Sequence, residues 1–160
     1  MQIIKDRKIV EDNWLHLDDE AADLVLGDVT VTLERWQAEH ESLLKHDGSL
    51  GIRLSGDDPI EEMVPDLDKF KLIVLIFPAF TDGRCYSFAR LLRDRYDYKG
   101  EIRAQGDILH DQLFYMTQCG INSFEMANSH RLVEAMAAFD DFSESYQTTV
   151  LKPDPLYRRR

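Results

Sequence analysis

The residues best suited to chemistry lie between positions 82 and 130. Asp82-Gly83-Arg84 leads from an apolar run into a helical pattern. A helix start offers unpaired N–H groups, and a guanidinium fork beside them suits sulfite, phosphate or a carboxylate. The expected anion-binding set is Asp82, Gly83, Arg84, Ser87 and Arg103. A structural reading stands beside it: Asp82 caps the helix, and Arg84 pairs with Asp82 or Asp107. Arg90, Arg93 and Arg103 are offset by Asp94, Asp97 and Glu101, which reads as a solvated mixed face. His130 and Asp107 each follow a predicted strand, so they are the acid/base candidates.

Cys85 falls near a helix start, where a thiolate is favoured, but no C-x-x-C spacing supplies a resolving partner. Cys119, followed by Gly120, reads as a small buried hydrophobe. His16, His40, His46, His110 and His130 form no H-E-x-x-H and no Cys/His zinc spacing, so no metal site is expected. The sequence also lacks G-x-G-x-x-G, G-x-x-x-x-G-K-[ST] and G-x-S-x-G. No cofactor is named by its motifs.

These residues need a scaffold that brings strand ends together. Ile3-Ile4 and Ile9-Val10 flank a polar turn and predict a short hairpin. Residues 12–28 are expected to form an acidic covering arm with Trp14, Leu15, Leu17 and Leu24 to Leu26 as apolar anchors. From Val29 the pattern alternates. Strands are expected at Val29–Thr32, Leu50–Ser55, Leu72–Phe77, Glu101–Gln105 and Ser123–Ala127. Helices are expected at Leu33–Lys45, after Asp57, at Arg84–Tyr96, Asp107–Cys119 and Ser129–Phe142, the second broken by Pro65. About five βα units predict an α/β fold: a mostly parallel sheet flanked by helices, as an open three-layer sheet or half a (β/α) barrel. In either form, ligands bind beyond the carboxyl ends of the strands. The expected organisation is a hairpin and arm over 1–28, an α/β domain over 29–147, and an extended or disordered tail over 148–160.

The chain has 160 residues, 44% hydrophobic and 31% charged, which fits one domain with a real core. Its net charge of −11 is uneven. Residues 1–70 hold 18 acids and 7 bases, and the remainder 12 of each. Such a surface repels phosphate backbones, which argues against nucleic acid as a partner. No apolar run reaches bilayer length and no signal-peptide pattern opens the chain, so neither membrane association nor export is expected. Two cysteines without a secretion pattern fit a reducing, cytoplasmic setting.

The run from Asp82 to Arg93 continues into Gly100–Asp107, Asp111-Gln112-Leu113 and Cys119-Gly120. With Ile3-Ile4 through Trp14 and Tyr146-Gln147, it resembles a bacterial family of unknown function whose members are labelled oxidoreductases of sulfite reduction. The pattern shared with that family comprises Asp82, Gly83, Arg84, Ser87, Arg90, Arg93, Arg103, Gly106, Asp107, Asp111 and Gln112. It does not require a cysteine at 85, and Ile121-Asn122 departs from the usual Phe-Asp. The resemblance implies an accessory protein or oxidoreductase of assimilatory sulfite reduction, with a sulfite-reduction enzyme as partner and no proven mechanism. Two other readings remain: a small-oxyanion enzyme at the strand ends, and a non-catalytic homodimer.

Overall fold

The computed structural model describes residues 1–79 and 81–139. The tail over 148–160, the Tyr146-Gln147 pair and the last residues of the helix expected to reach Phe142 lie outside the described residues.

Eight strands form one sheet: β1 (Gln2–Lys5), β2 (Lys8–Glu11), β3 (Leu15–His16), β4 (Val29–Thr32), β5 (Leu50–Leu54), β6 (Phe70–Phe77), β7 (Glu101–Gly106) and β8 (Ser123–Met126). The helices are α1 (Leu33–Ala38), α2 (His40–Leu44), α3 (Arg84–Arg90), α4 (Leu113–Gln118) and α5 (Leu132–Ala138). Thr32 caps α1, its hydroxyl accepting from the Arg35 N–H at 3.1 Å. Pro65 sits in 3-10 turns (Ile60–Glu62, Val64–Lys69) that replace the helix expected after Asp57. Asp6 and Arg7 both take left-handed backbone, giving β1–β2 a two-residue turn of the kind that matches strand twist.

The spatial order is β2-β1-β8-β7-β6-β5-β4-β3. From β3 to β8 the strands are parallel and neighbours in space as in sequence, while β1 runs antiparallel to β8 and to β2. Consecutive crossovers of one hand place every helix on the same face. The α/β expectation therefore holds, in its half-barrel form.

Alternation within the strands separates two faces. Val29, Val31, Ile52, Leu54, Ile73, Leu75, Ile102, Ala104 and Phe124 point toward the helices and share one core with Leu33, Trp36, Leu92, Met116 and Leu132. The concave face carries Thr30, Arg53, Glu101, Arg103, Gln105, Ser123 and Glu125, with Ile3, Leu72 and Val74 buried among the strands there. Parallel strands are usually apolar on both sides, so a charged inner face needs a separate account.

Curvature supplies part of it. Eight flat strands would span about 34 Å at ordinary spacing. Yet the outermost strands, β2 and β3, are joined only by Asp12-Asn13-Trp14, and Glu11 to Leu15 can stretch no more than about 14 Å. The sheet must curl until its edges approach each other. By successive pairing, His16 lies level with Thr30, Gly51, Leu72 and Glu101, and Glu125 lies level with Gln105 and Ile76. Even so, His16 Nε2 lies 3.0 Å from Glu125 Oε2. Strands tilted as in a barrel bring such offset rows together.

Candidate functional site

Arg103 is the centre of the concave face and is 1% exposed. Its guanidinium donates to Glu101 Oε1 at 2.9 Å, to Asp12 Oδ2 at 2.9 Å and to Glu125 Oε2 at 3.4 Å. Lys5 Nζ meets the other Glu101 oxygen at 2.8 Å, and Gln105 Nε2 donates to Glu125 Oε1 at 2.9 Å. His16 bridges Glu125 to the Thr30 hydroxyl, which lies 2.7 Å from Nδ1. Arg53, on β5, donates to the Leu17 carbonyl, and its Nε is buried with no partner. A cleft of about 330 Å³ opens this network to solvent past Lys5, Asp12, Trp14, Asp28, Glu101 and Arg103.

Burial alone would neutralise these groups, and the neighbours reverse that. Burial works against the charge on Arg103, but Glu101 and Asp12 outweigh it and hold its pKa above the ordinary value. Burial would raise Glu125; hydrogen bonds from His16 and Gln105, with Arg103 nearby, instead bring it down to about 2. Glu101 is lowered against burial by Lys5 and Arg103. Arg53 is lowered, because burial exceeds the attraction of Asp19, Asp18 and Glu125.

Asp12, His16 and Glu125 hold ligand-type atoms within 4.8 Å of one another. That spacing would suit a cation, but Arg103 already bonds to both carboxylates and supplies the positive charge there.

The residues singled out from sequence fall in separate places. Asp82, Gly83, Arg84 and Ser87 lie on the turn into α3 and its first turn. Arg84 packs on Gly56, where a Cβ would come within 2.6 Å of Nε. Its guanidinium donates to Asp82 at 2.8 and 3.0 Å and also to Asp57, and these acids raise its pKa. Arg103 belongs to the concave network and shares no partner with Arg84. Asp107 is exposed after β7 and lines a cleft of about 100 Å³ with His110, Asn128 and Arg131. His130 is exposed on the adjacent turn, its N–H donating to Asn128 Oδ1 at 3.1 Å. The structure thus brings Asp107 to His110 and Arg131, and Arg84 to Asp82 and Asp57. Cys85 is buried, and burial, with Asp82 nearby, pushes its thiol up to about 12.

Sequence reading missed Asp12, His16, Thr30, Glu101 and Glu125 as a group. The available signal was alternation: Glu101-Ile102-Arg103-Ala104-Gln105 and Ser123-Phe124-Glu125 place polar side chains on one face of central strands.

A different surface appears along the acidic arm. Leu15, Val25, Leu26 and Leu44 are 47%, 40%, 84% and 46% exposed, so of the expected anchors Leu17 is buried while Leu15, Val25 and Leu26 stay outside the core. Backbone contacts gather their segments: the Leu15 N–H donates to the Asp28 carbonyl at 2.9 Å, and His46 Nε2 meets the Gly27 carbonyl at 2.7 Å. Arg35 and Arg53 hold the arm through the carbonyls of Asp18, Ala21 and Leu17 rather than through its carboxylates. Asp18, Glu20 and Asp23 therefore face solvent, as do Glu34, Glu41 and Asp47 nearby, and among the described residues none of the six is in an ion pair. No described helix is long and apolar enough to cross a membrane.

No curated protein and no solved structure matches the chain. A family model does match, over residues 51–157, which takes in every strand from β5 to β8 and Arg53, Arg84, Arg103 and Glu125. That span is most of the sequence: the chain belongs to the family described as bacterial protein of unknown function (DUF934).

Proposed function

We propose that this protein is an accessory component of assimilatory sulfite reduction that works by docking on a partner enzyme. The feature that carries the docking is the exposure of Leu15, Val25, Leu26 and Leu44 in the part of the chain where Asp18, Glu20, Asp23, Glu34, Glu41 and Asp47 are exposed and, among the described residues, outside any ion pair. An apolar centre with a charged rim is the anatomy of a protein interface. Two copies would bring like-charged rims together, so the surface fits a partner with a basic rim and an apolar contact. The sulfite-reduction assignment rests on the family resemblance of Asp82–Arg93 and Gly100–Asp107.

The test is biolayer interferometry against the sulfite-reducing enzyme of the same bacterium, at 50 and 300 mM salt. Binding is expected at low salt, about tenfold weaker at high salt and about tenfold weaker for Leu26→Ser. Absence of binding at both salts overturns the reading, as does binding indifferent to Leu26→Ser.

A second reading is favoured by the cleft of Asp107, His110, Asn128 and Arg131, which lies where α/β folds bind ligands. There Arg131 would grip a small oxyanion and Asp107 would handle the proton. Calorimetry with sulfite on the native protein and on Arg131→Ala tests it; negligible heat from the native protein removes it.

A further inference from the structure

Among the described residues, the outer edge of β2 has no partner strand. In the β1–β2 hairpin Lys5 faces Lys8 across the two-residue turn, Ile4 faces Ile9, Ile3 faces Val10 and Gln2 faces Glu11. Antiparallel pairs alternate between bonded and non-bonded, and the pair closing a two-residue turn is bonded. Lys8 and Val10 therefore direct their backbone groups to β1, as does Asp12, whose N–H donates to the Met1 carbonyl at 2.8 Å. Ile9 and Glu11 direct theirs the other way, where no described backbone group meets them. The same run of chain finds β4 as its neighbour only later, where the Leu15 and Leu17 N–H groups donate to the carbonyls of Asp28 and Thr30 at 2.9 and 3.0 Å.

The surroundings of this edge are apolar and acidic. Ile9 is 37% exposed, and Val10 is half-buried on the opposite side of the strand. Val10 and Glu11 also wall the cleft of about 330 Å³, whose charged lining is Glu11, Asp12, Asp28 and Glu101 against Lys5 and Arg103. Asp12 and Glu101 are taken by Arg103 and Lys5. Among the described residues Asp28 is in no ion pair, and Glu11 meets only the exposed Met1 amine at 3.3 Å. A second copy would bring the same acids against these, so the edge fits a strand of opposite charge rather than another β2.

We propose that β2 is a docking edge for an extended segment of a partner protein with alternating apolar and basic side chains. The segment adds to the sheet as a strand, exchanging main-chain hydrogen bonds with Ile9 and Glu11. Its alternate side chains fall on opposite sides: apolar ones pack on Ile9, and basic ones enter the cleft toward Asp28. This contact is independent of the exposed leucines and of what the partner does.

The test is fluorescence polarisation of the full chain with two labelled peptides, one alternating lysine and valine, the other alternating glutamate and valine. The native protein should bind the lysine peptide and ignore the glutamate peptide. Ile9→Pro removes an outward N–H and no bond to β1, so the hairpin should persist. It should bind the lysine peptide about fivefold more weakly, while Ile9→Val, which keeps the donor, should stay within about twofold. If Ile9→Pro fails to fold by circular dichroism, Asp28→Asn decides. Its amide oxygen can still accept from the Ser49 N–H, as Asp28 Oδ1 does at 2.8 Å, but the charge is gone. That variant should also weaken the lysine peptide about fivefold. Three results each overturn the proposal: a native protein that binds neither peptide or both equally, unchanged affinity in a folded Ile9→Pro or in Asp28→Asn, and a native dimer in light scattering that Ile9→Pro splits.

Discussion

Arg103 reconciles three carboxylates that could not otherwise be buried together. Removing one partner of a buried ionic group leaves the others uncompensated, so Arg103→Leu should destabilise the fold by about 3–5 kcal/mol, read from urea unfolding midpoints. Arg103→Lys should rescue only part of this, since an ammonium cannot serve three directions as a planar fork does. Glu125 gives the same network a pH dependence. Its folded pKa, about 2, lies below its ordinary value of 4.5. The stabilisation, about 3 kcal/mol, is thus fully present above pH 4.5 and lost as pH falls toward 2. Unfolding free energies across that window should fall less steeply for Glu125→Gln than for the native protein. The thiols report the opposite case. Cys85 and Cys119 are both buried, and burial raises both pKa values. A thiol reagent at pH 8 should leave both unmodified in buffer and label both in urea. Rapid labelling of Cys85 in the native state would reopen a thiol role.

At the level of elements, the sequence foretold strands better than helices. A run such as Leu72–Phe77 is apolar on both faces, and little competes with it; it appears as β6, extended back to Phe70. The helix expected over Arg84–Tyr96 runs unbroken to Arg95, α3 passing into a π turn at Leu91–Arg95, but others came out shorter and more broken. The one expected over Leu33–Lys45 divides at Glu39 into α1 and α2. The one expected from Asp107 forms a 3-10 turn at His110–Gln112 before α4 begins at Leu113. There Gln112, not Asp107, caps the turn, its side chain accepting from the Leu109 N–H at 3.0 Å. The reason is tertiary: β3 to β8 sit side by side, so each crossover spans one strand spacing and a turn or two of helix suffices. β3 was missed because two residues carry no periodicity, and His16 gains its meaning only from Glu125, 109 positions away. The hairpin, Arg84 with Asp82, and the alternation in β7 were all legible; the convergence of Asp12, His16 and Arg103 needed the curl of the sheet. Gly106 shows how tightly that curl is held. Its φ is +124°, and a Cβ would lie 2.3 Å from the Phe77 carbonyl oxygen. Gly106→Ala should cost about 2 kcal/mol or more, visible as a lowered urea midpoint.

Across the whole molecule, charge and shape divide the labour. The negative field belongs to the first 70 residues, and the exposed Leu15, Val25, Leu26 and Leu44 lie within that stretch. The hairpin, though first in the chain, covers the outer edge of β8 through pairs Ile4–Phe124 and Lys5–Ser123. Deleting residues 1–11 should bare that edge and withdraw Lys5 from Glu101. The truncated chain is expected to aggregate, measured as high-mass species in light scattering, because an open strand edge pairs with other chains. A monodisperse truncated protein would show that β8 needs no cover.

The pairing of Ile4 with Phe124 also orders events in time. At roughly 5–20 residues per second of synthesis, β8 follows the hairpin by about 6–24 seconds. Two strands alone are marginal in water, so the hairpin leaves the ribosome before the strand that holds it exists. Each strand from β4 to β8 can pair with the one made just before it, whereas the hairpin must wait for β8. Until then Glu101 lacks Lys5 and Arg103 lacks Asp12, and the central charges rest on the pairs of Arg103 with Glu101 and Glu125 alone.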